Sequence, residues 1–295
     1  MLNGEVYSTA VEKHVSRILE SFPAGIKLSV VVDAGCGAAY FITPYLLSRL
    51  GCEVTAINCY ANGIFPHDVE PIEANLGDLM NAVKDSGADL GIAHDGDADR
   101  MMAVDDRGRF ISGDKLLAAL ASASNTTRIV TTIDASMSIE ERGIPVARTR
   151  VGDPYVSEEL KKGGSFGGEP SGAWVFPEIS LCPDGIFAAA QIASIASRRR
   201  LSELVDEIPV YPVMRGSIPG VIPDLQRLVQ KLKKQLNPVS IDDIDGFKLI
   251  FQDGWLLVRP SGTEPKIRLT VEAKSQNQAS LYYAKALETI KSAVK

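Results

Sequence analysis

The pattern that most constrains this chain is a short apolar run that stops at small or acidic residues and gives way to a helical period. "KLSVVVDAGCGAAY" reads as a buried strand followed by a glycine turn. "TPYLLSRLGCEVTAIN" reads as a helix, a stop at Gly51, then a strand. "GDLMNAVKDSGADLGIAHDGDADRMMAVDDRGR" repeats the alternation and ends in a hairpin around Asp105, Asp106 and Gly108. "RIVTTIDAS" opens a further round, closed by a long helix from an Asp184 N-cap to about Arg199. Strands alternating with helices build α/β layers. Ahead of them a helix is expected from near Thr9, with Glu12 completing a capping box.

The pattern changes at "RRRLSELVDEIPVYPVMRG", where charges, a short helix, Pro209 and Pro212 fall together. Beyond it come a helix from Asp224 to about Gln235 and two strands, "FKLIFQD" and "GWLLVRPS". Asp253-Gly254 is the expected hairpin turn between them. "KIRLTVEA" and a last helix complete an α+β layer. The expected organisation is an α/β domain over 1–118, a second over 119–210 and a smaller α+β domain over 211–295, with a hinge near 210–216. A chain of 295 residues accommodates that number.

Charge and composition exclude several function classes. The formal net charge is −6, against the basic footprint of a nucleic-acid partner. No apolar run approaches the ~20 residues of a membrane span, and the N-terminus has no signal-peptide core. A cytoplasmic chain without a membrane partner is expected. Cys36, Cys52, Cys59 and Cys182 lack zinc-knuckle or Cys-x-x-C spacing, so reduced, buried thiols are expected.

Three stretches carry chemistry. In "DGDADR", Asp95, Asp97 and Asp99 alternate at the end of an apolar strand, where α/β sheets bind ligands. Three clustered carboxylates repel one another unless a hard cation such as Mg²⁺ joins them. The competing reading is a solvated acidic turn. An EF-hand is excluded, because its sixth and twelfth positions are Arg100 and Asp106 rather than Gly and Glu. Arg100, beside the cluster, is the candidate catalytic cation for a phosphate or a leaving oxygen.

In "FGGEPSGAW", Glu169 and Ser171 straddle Pro170. In extended backbone they would point the same way and could hold the vicinal hydroxyls of a sugar, unless the stretch is an ordinary glycine turn. In "RPSGTEPKIR", Arg259, Ser261, Gly262, Thr263 and Arg268 can converge on an anion. Arginine forks and turn amides both suit phosphate; the alternative is a solvated basic loop. "DAGCGAAY" lacks the third glycine and the later acidic residue of a dinucleotide fingerprint. His14, His67 and His94 have no metal-ligand spacing, and His94 reads as a structural, hydrogen-bonded histidine.

Taken together, these stretches resemble the α-D-phosphohexomutases, the phosphoglucomutases, phosphomannomutases and phosphoglucosamine mutases. "DGDADR" resembles the family's magnesium loop, "GGEPSG" its sugar-recognition loop and "RPSGTEPKIR" its phosphate-binding loop, in the family's order. The resemblance implies two mixed-sheet α/β domains followed by a smaller α+β C-terminal domain, corresponding to the second, third and fourth of four family domains. It implies Mg²⁺ as cofactor and, as ligands, a hexose or hexosamine phosphate and its 1,6-bisphosphate. The implied reaction moves a phosphoryl group between the 1- and 6-positions through a phosphoserine.

The first family domain, with its "TASHNP"-like serine loop, has no match here. The chain alone is therefore expected to be inactive or nearly so. "ASASNTT", Ala121 to Thr127, is the nearest imitation, but it lacks the His and the Pro and reads as a linker. Ala173 stands where many relatives carry a histidine proposed to help proton transfer. "GEPSGAWVFPEISLCPDGI" resembles archaeal phosphoglucosamine mutases more than bacterial phosphomannomutases, which implies phosphoglucosamine mutase activity. The alternatives are phosphomannomutase or phosphoglucomutase specificity, a non-catalytic phosphosugar-binding module, or one half of an enzyme completed by a separate N-terminal domain.

Overall fold

The computed structural model describes residues 4–23, 25–124, 126–261 and 264–294. Helix α1 (Gly4–Leu19) buries Val11, Val15 and Ile18. It begins ahead of Thr9, so the expected capping box does not form. A local cap signal gives way when the residues before it can extend the same helix.

The first sheet is built from β1 (Ser29–Asp33), β2 (Glu53–Ile57), β3 (Leu90–His94), β4 (Met101–Val104) and β5 (Phe110–Ile111), in the order β2-β1-β3-β4-β5. β1 runs parallel to β2 and β3, whereas β4 and β5 return antiparallel. Two helices serve it: α2 (Ala39–Leu50), stopped by Gly51 as expected, and α3 (Gly77–Ser86). Leu79 and Val83 of α3 pack on Val31, Ala93 and Val104. β3 is buried along its whole length, as a central strand in an α/β layer must be.

α4 (Gly113–Ala123) follows, then β6 (Ile129–Thr132), β7 (Val146–Thr149), α5 (Asp153–Leu160), β8 (Phe166–Gly168) and β9 (Trp174–Val175). Their four strands lie in the order β7-β6-β8-β9. α6 (Gly185–Ala196) is apolar all round and buried at every position except Gln191, the pattern of a helix inside a core. Asp184 caps it, accepting the Phe187 N–H at 2.9 Å. α7 (Leu201–Asp206) closes this part of the chain.

The remaining strands are β10 (Val213–Pro219), β11 (Ser240–Asp242), β12 (Phe247–Phe251), β13 (Gly254–Pro260) and β14 (Lys266–Ala273). They form one antiparallel sheet, β10-β14-β13-β12-β11. α8 (Leu225–Leu236) and α9 (Gln276–Lys291) complete a core with one face of it through Leu228, Leu232, Ala279 and Ile290. The hairpin turn is Gln252 and Asp253, because Gly254 already pairs with Phe251. Residues 213–216, expected in a hinge, are strand paired to β14.

By proximity the chain divides into two compact units. One comprises Met1–Val130, Ile144–Ala147 and Asp153–Ile208; the other comprises Thr131–Gly143, Arg148–Gly152 and Pro209–Lys295. In the second unit the 131–143 stretch is tied to the sheet by buried polar groups. Glu272 accepts from the Ser136 hydroxyl at 2.5 Å, the Met137 N–H at 2.7 Å and Trp255 Nε1 at 2.6 Å. Lys248 Nζ donates to the Ile133 carbonyl at 2.6 Å and lies 4.1 Å from the Trp255 ring centroid. Burial draws that ammonium down to about 7. Among the described residues no helix is long and apolar enough to cross a membrane.

Candidate functional site

In the first unit the acidic loop leaves the C-terminal end of β3. Asp95, Asp97 and Asp99 each offer a carboxylate oxygen, and these oxygens lie within 4.8 Å of one another. Opposite oxygens of an octahedral Mg²⁺ are about 4.2 Å apart, twice a ~2.1 Å bond. A small inward movement would close the cluster on the ion, so the donors fit it in number and kind.

Asp95 is 8% exposed. Burial pushes its carboxyl up to about 6; the Arg100 N–H acts against this, and the neighbouring Asp99 and Asp97 add to it. Such a carboxylate gains from a cation. Arg100 supplies part of that charge, with Nε 3.4 Å from Asp95 and 3.9 Å from Asp99, and a terminal nitrogen 3.7 Å from Glu70.

The loop is braced from several sides. Ala98 sits at φ 65°, an unusual value for a side-chain-bearing residue, and its carbonyl accepts the Gly185 N–H of α6 at 3.2 Å. His94 Nδ1 donates to the Arg100 carbonyl at 3.0 Å, leaving Nε2 to accept the Thr43 hydroxyl at 3.0 Å. Burial holds this ring neutral, its pKa drawn down to about 4; His94 is structural, as its sequence context indicated. The glycine turn of "DAGCGAAY" meets the loop directly, since the Ala38 N–H donates to the Gly96 carbonyl at 2.9 Å. A Cβ on Gly37 would lie 2.6 Å from that same oxygen.

The Glu169 loop is stitched to the acidic loop through main chain. Gly172 donates to Glu169 O at 3.0 Å, closing a turn, and Glu169 donates to Ala173 O at 2.9 Å. Gly172 takes φ 105°, a value that favours glycine. Its carbonyl accepts the Met101 N–H at 3.0 Å, and Ala173 bridges Arg100. Trp174 Nε1 adds a bond to Met101 O at 2.7 Å. The stretch is thus a tight turn rather than extended backbone, and the alternation argument for Glu169 and Ser171 fails. Glu169 is 9% exposed, whereas Ser171 is exposed.

Two further expectations change. Residues 121–123, expected in a linker, are the last turn of α4, and Ser124 is its C-cap, with its hydroxyl donating to Leu120 O at 2.7 Å. The cysteines are free, but Cys182 is exposed.

In the second unit Arg259 on β13 stands directly opposite Arg268 on β14. Like charges in that register repel. Asp245 offsets one of them, 3.1 Å from Arg259. Among the described residues Arg268 makes no ion pair. Ser261 has its N–H bonded to Lys266 O at 2.8 Å, and its buried hydroxyl oxygen has no partner among the described residues. Lys266 pairs with Glu264. Gly262 and Thr263, expected in the same loop, lie outside the described residues.

A cavity of about 420 Å³ opens here, lined by Asp134, Arg215, Ser217, Arg259, Lys266 and Arg268 among others. Sequence reading missed Asp134, Arg215 and Ser217 as lining residues. The one available signal was that Arg215 and Ser217 are two apart on a strand and so share a face.

Phosphoglucomutase/phosphomannomutase family models match in chain order: alpha/beta/alpha domain II over residues 5–108, alpha/beta/alpha domain III over 112–211 and the C-terminal domain over 221–288. The chain belongs to this family. A probable phosphoglucosamine mutase of Methanocella arvoryzae is 46% identical over 292 residues, covering 96% of this chain and 66% of that one. The solved phosphoglucomutase/phosphomannomutase family protein of Burkholderia thailandensis aligns with TM-score 0.85 at 26% identity, over 97% of this chain and 65% of that one. Aspergillus fumigatus N-acetylphosphoglucosamine mutase, solved in complex with GlcNAc-6P and magnesium, shares the fold at TM-score 0.65 and 17% identity, over 97% and 64% of the two chains. The chain thus spans about two thirds of the length of these relatives.

Proposed function

We propose that this chain carries the metal, sugar and phosphate loops of a phosphohexomutase acting on a hexosamine phosphate, as in a phosphoglucosamine mutase. The observation that carries the reading is the acidic triad, three carboxylate oxygens within 4.8 Å, backbone-linked to the Glu169 turn. Metal and sugar recognition would thereby share one hydrogen-bonded frame. Asp95, Asp97 and Asp99 would hold Mg²⁺, which when bound neutralises charge on a phosphoryl group in transfer. Arg100 would exchange its carboxylate neighbours for phosphate oxygens. Glu169 and Ser171 would accept and donate to sugar hydroxyls. In the second unit Arg259, Ser261, Gly262, Thr263 and Arg268 would hold a phosphate that is not reacting.

The hexosamine choice draws on relatives named probable phosphoglucosamine mutase at 38–47% identity.

Calorimetric titration of glucosamine 6-phosphate, mannose 6-phosphate and glucose 6-phosphate, with Mg²⁺ present, tests the reading. Glucosamine 6-phosphate should bind most tightly. A preference for mannose or glucose phosphate would overturn the substrate, and no binding of any of the three would overturn the function.

A further inference from the structure

The anion cavity of the second unit has a third arginine on a strand outside the "RPSGTEPKIR" stretch. β10 and β14 pair antiparallel with Ser217 opposite Arg268 and Arg215 opposite Thr270. β13 continues both rows, with Arg259 opposite Arg268 and Leu257 opposite Thr270. The rows Ser217–Arg268–Arg259 and Arg215–Thr270–Leu257 therefore share one face of the sheet, the face turned away from the α8–α9 core. Arg215 is the diagonal neighbour of Arg268, a separation of about 7–8 Å that long side chains span.

Both arginines line the cavity. Both are exposed, and among the described residues neither makes an ion pair. Asp134 is the carboxylate lining this cavity, and its Oδ1 is engaged by the Thr132 hydroxyl at 2.6 Å. Glu264 acts on Arg268 only from beyond ion-pair distance. Like charges kept close without direct ion pairs leave a positive field for a ligand to neutralise, and a guanidinium presents a flat fork that matches phosphate oxygens.

We infer that Arg215 is a further phosphate-binding residue of this site, gripping the ligand's phosphate from β10 while Arg259 and Arg268 grip it from β13 and β14, with Ser217 placed to add a hydroxyl donor. The inference rests on the proposed phosphate role of the cavity and extends it to a strand that the motif does not contain. The phosphate is then held between strands rather than by one loop, and the site favours a dianion over a singly charged group.

The test is calorimetric titration of glucosamine 6-phosphate and of glucosamine into the 295-residue chain, its Arg215→Ala and Arg215→Lys variants, and Arg259→Ala. Arg215→Ala should bind the sugar phosphate about tenfold or more weakly, the effect of losing a hydrogen bond to a charged group. Arg215→Lys should recover part of this loss, and affinity for the neutral sugar should not move. Thermal melting checks that each variant is folded; Arg215 is exposed on an edge strand, so no variant at this position should shift the melt. If Arg259→Ala loses phosphate affinity while Arg215→Ala keeps it, the inference fails and the phosphate site stands. If neither variant changes it, both fail.

Discussion

Asp95 is where burial, charge and the proposed metal role meet. Its carboxyl is held near 6 against an ordinary value of 3.8. The folded metal-free chain keeps a proton that the unfolded chain gives up, so this group's contribution is fully present below about pH 4 and is lost as pH rises through about 6. Mg²⁺ requires the ionised form, so the stabilisation it brings should grow across the same window. Melting curves with and without Mg²⁺ should differ little at pH 5 and clearly at pH 7.5; a constant difference would remove Asp95 from the ligand set. Asp97→Asn, which deletes one charge from an exposed ligand, should weaken Mg²⁺ by about tenfold or more, since ligand charge sets affinity at such sites; calorimetry reads it. These residues were legible because "DGDADR" is contiguous and its chemistry depends on residue type alone. Arg215 and Asp134 were not, because they reach the cavity through strand pairing and a long-range chain path that local pattern does not encode.

At the scale of elements, the site depends on loops packed against loops. The turn after β1 buttresses the acidic loop at Gly37. Gly37→Ala should force the Gly96 carbonyl away, costing about 1–3 kcal/mol as overpacking does, and should weaken Mg²⁺ although no ligand is touched. Unchanged Mg²⁺ affinity in a destabilised variant would separate the two turns. The strand–helix alternation located β1, α2, β2, α3 and β3, with burial on both faces of β1 and β3 leaving unbroken apolar runs, but it did not locate α4, β7, α5 or β10. Sequence did not choose between extended backbone and a glycine turn at Glu169, since a Pro between two polar residues fits either form; Gly172 at φ 105° decides it. In the second unit, Glu272 collects three donors, two of them from the 131–143 stretch. Glu272→Ala should cost about 3 kcal/mol or more by leaving buried donors unpaired, seen as a lower urea midpoint.

For the whole molecule, the proposed chemistry is divided between two compact units. The first holds the acidic loop and the Glu169 turn, the second the cavity lined by Arg215, Arg259 and Arg268. The grouping of 131–143 with the C-terminal sheet was invisible in sequence, because it is made by buried pairs more than a hundred residues apart. The cavity under Arg259 is proposed to read the phosphate of a phosphosugar. Titrating glucosamine 6-phosphate and glucosamine into the chain and its Arg259→Ala variant at fixed Mg²⁺ tests it most directly. The expected result is a loss of about 1.5–3 kcal/mol for the phosphorylated sugar alone, shrinking as salt rises. Equal losses for both sugars, or none for either, would contradict it.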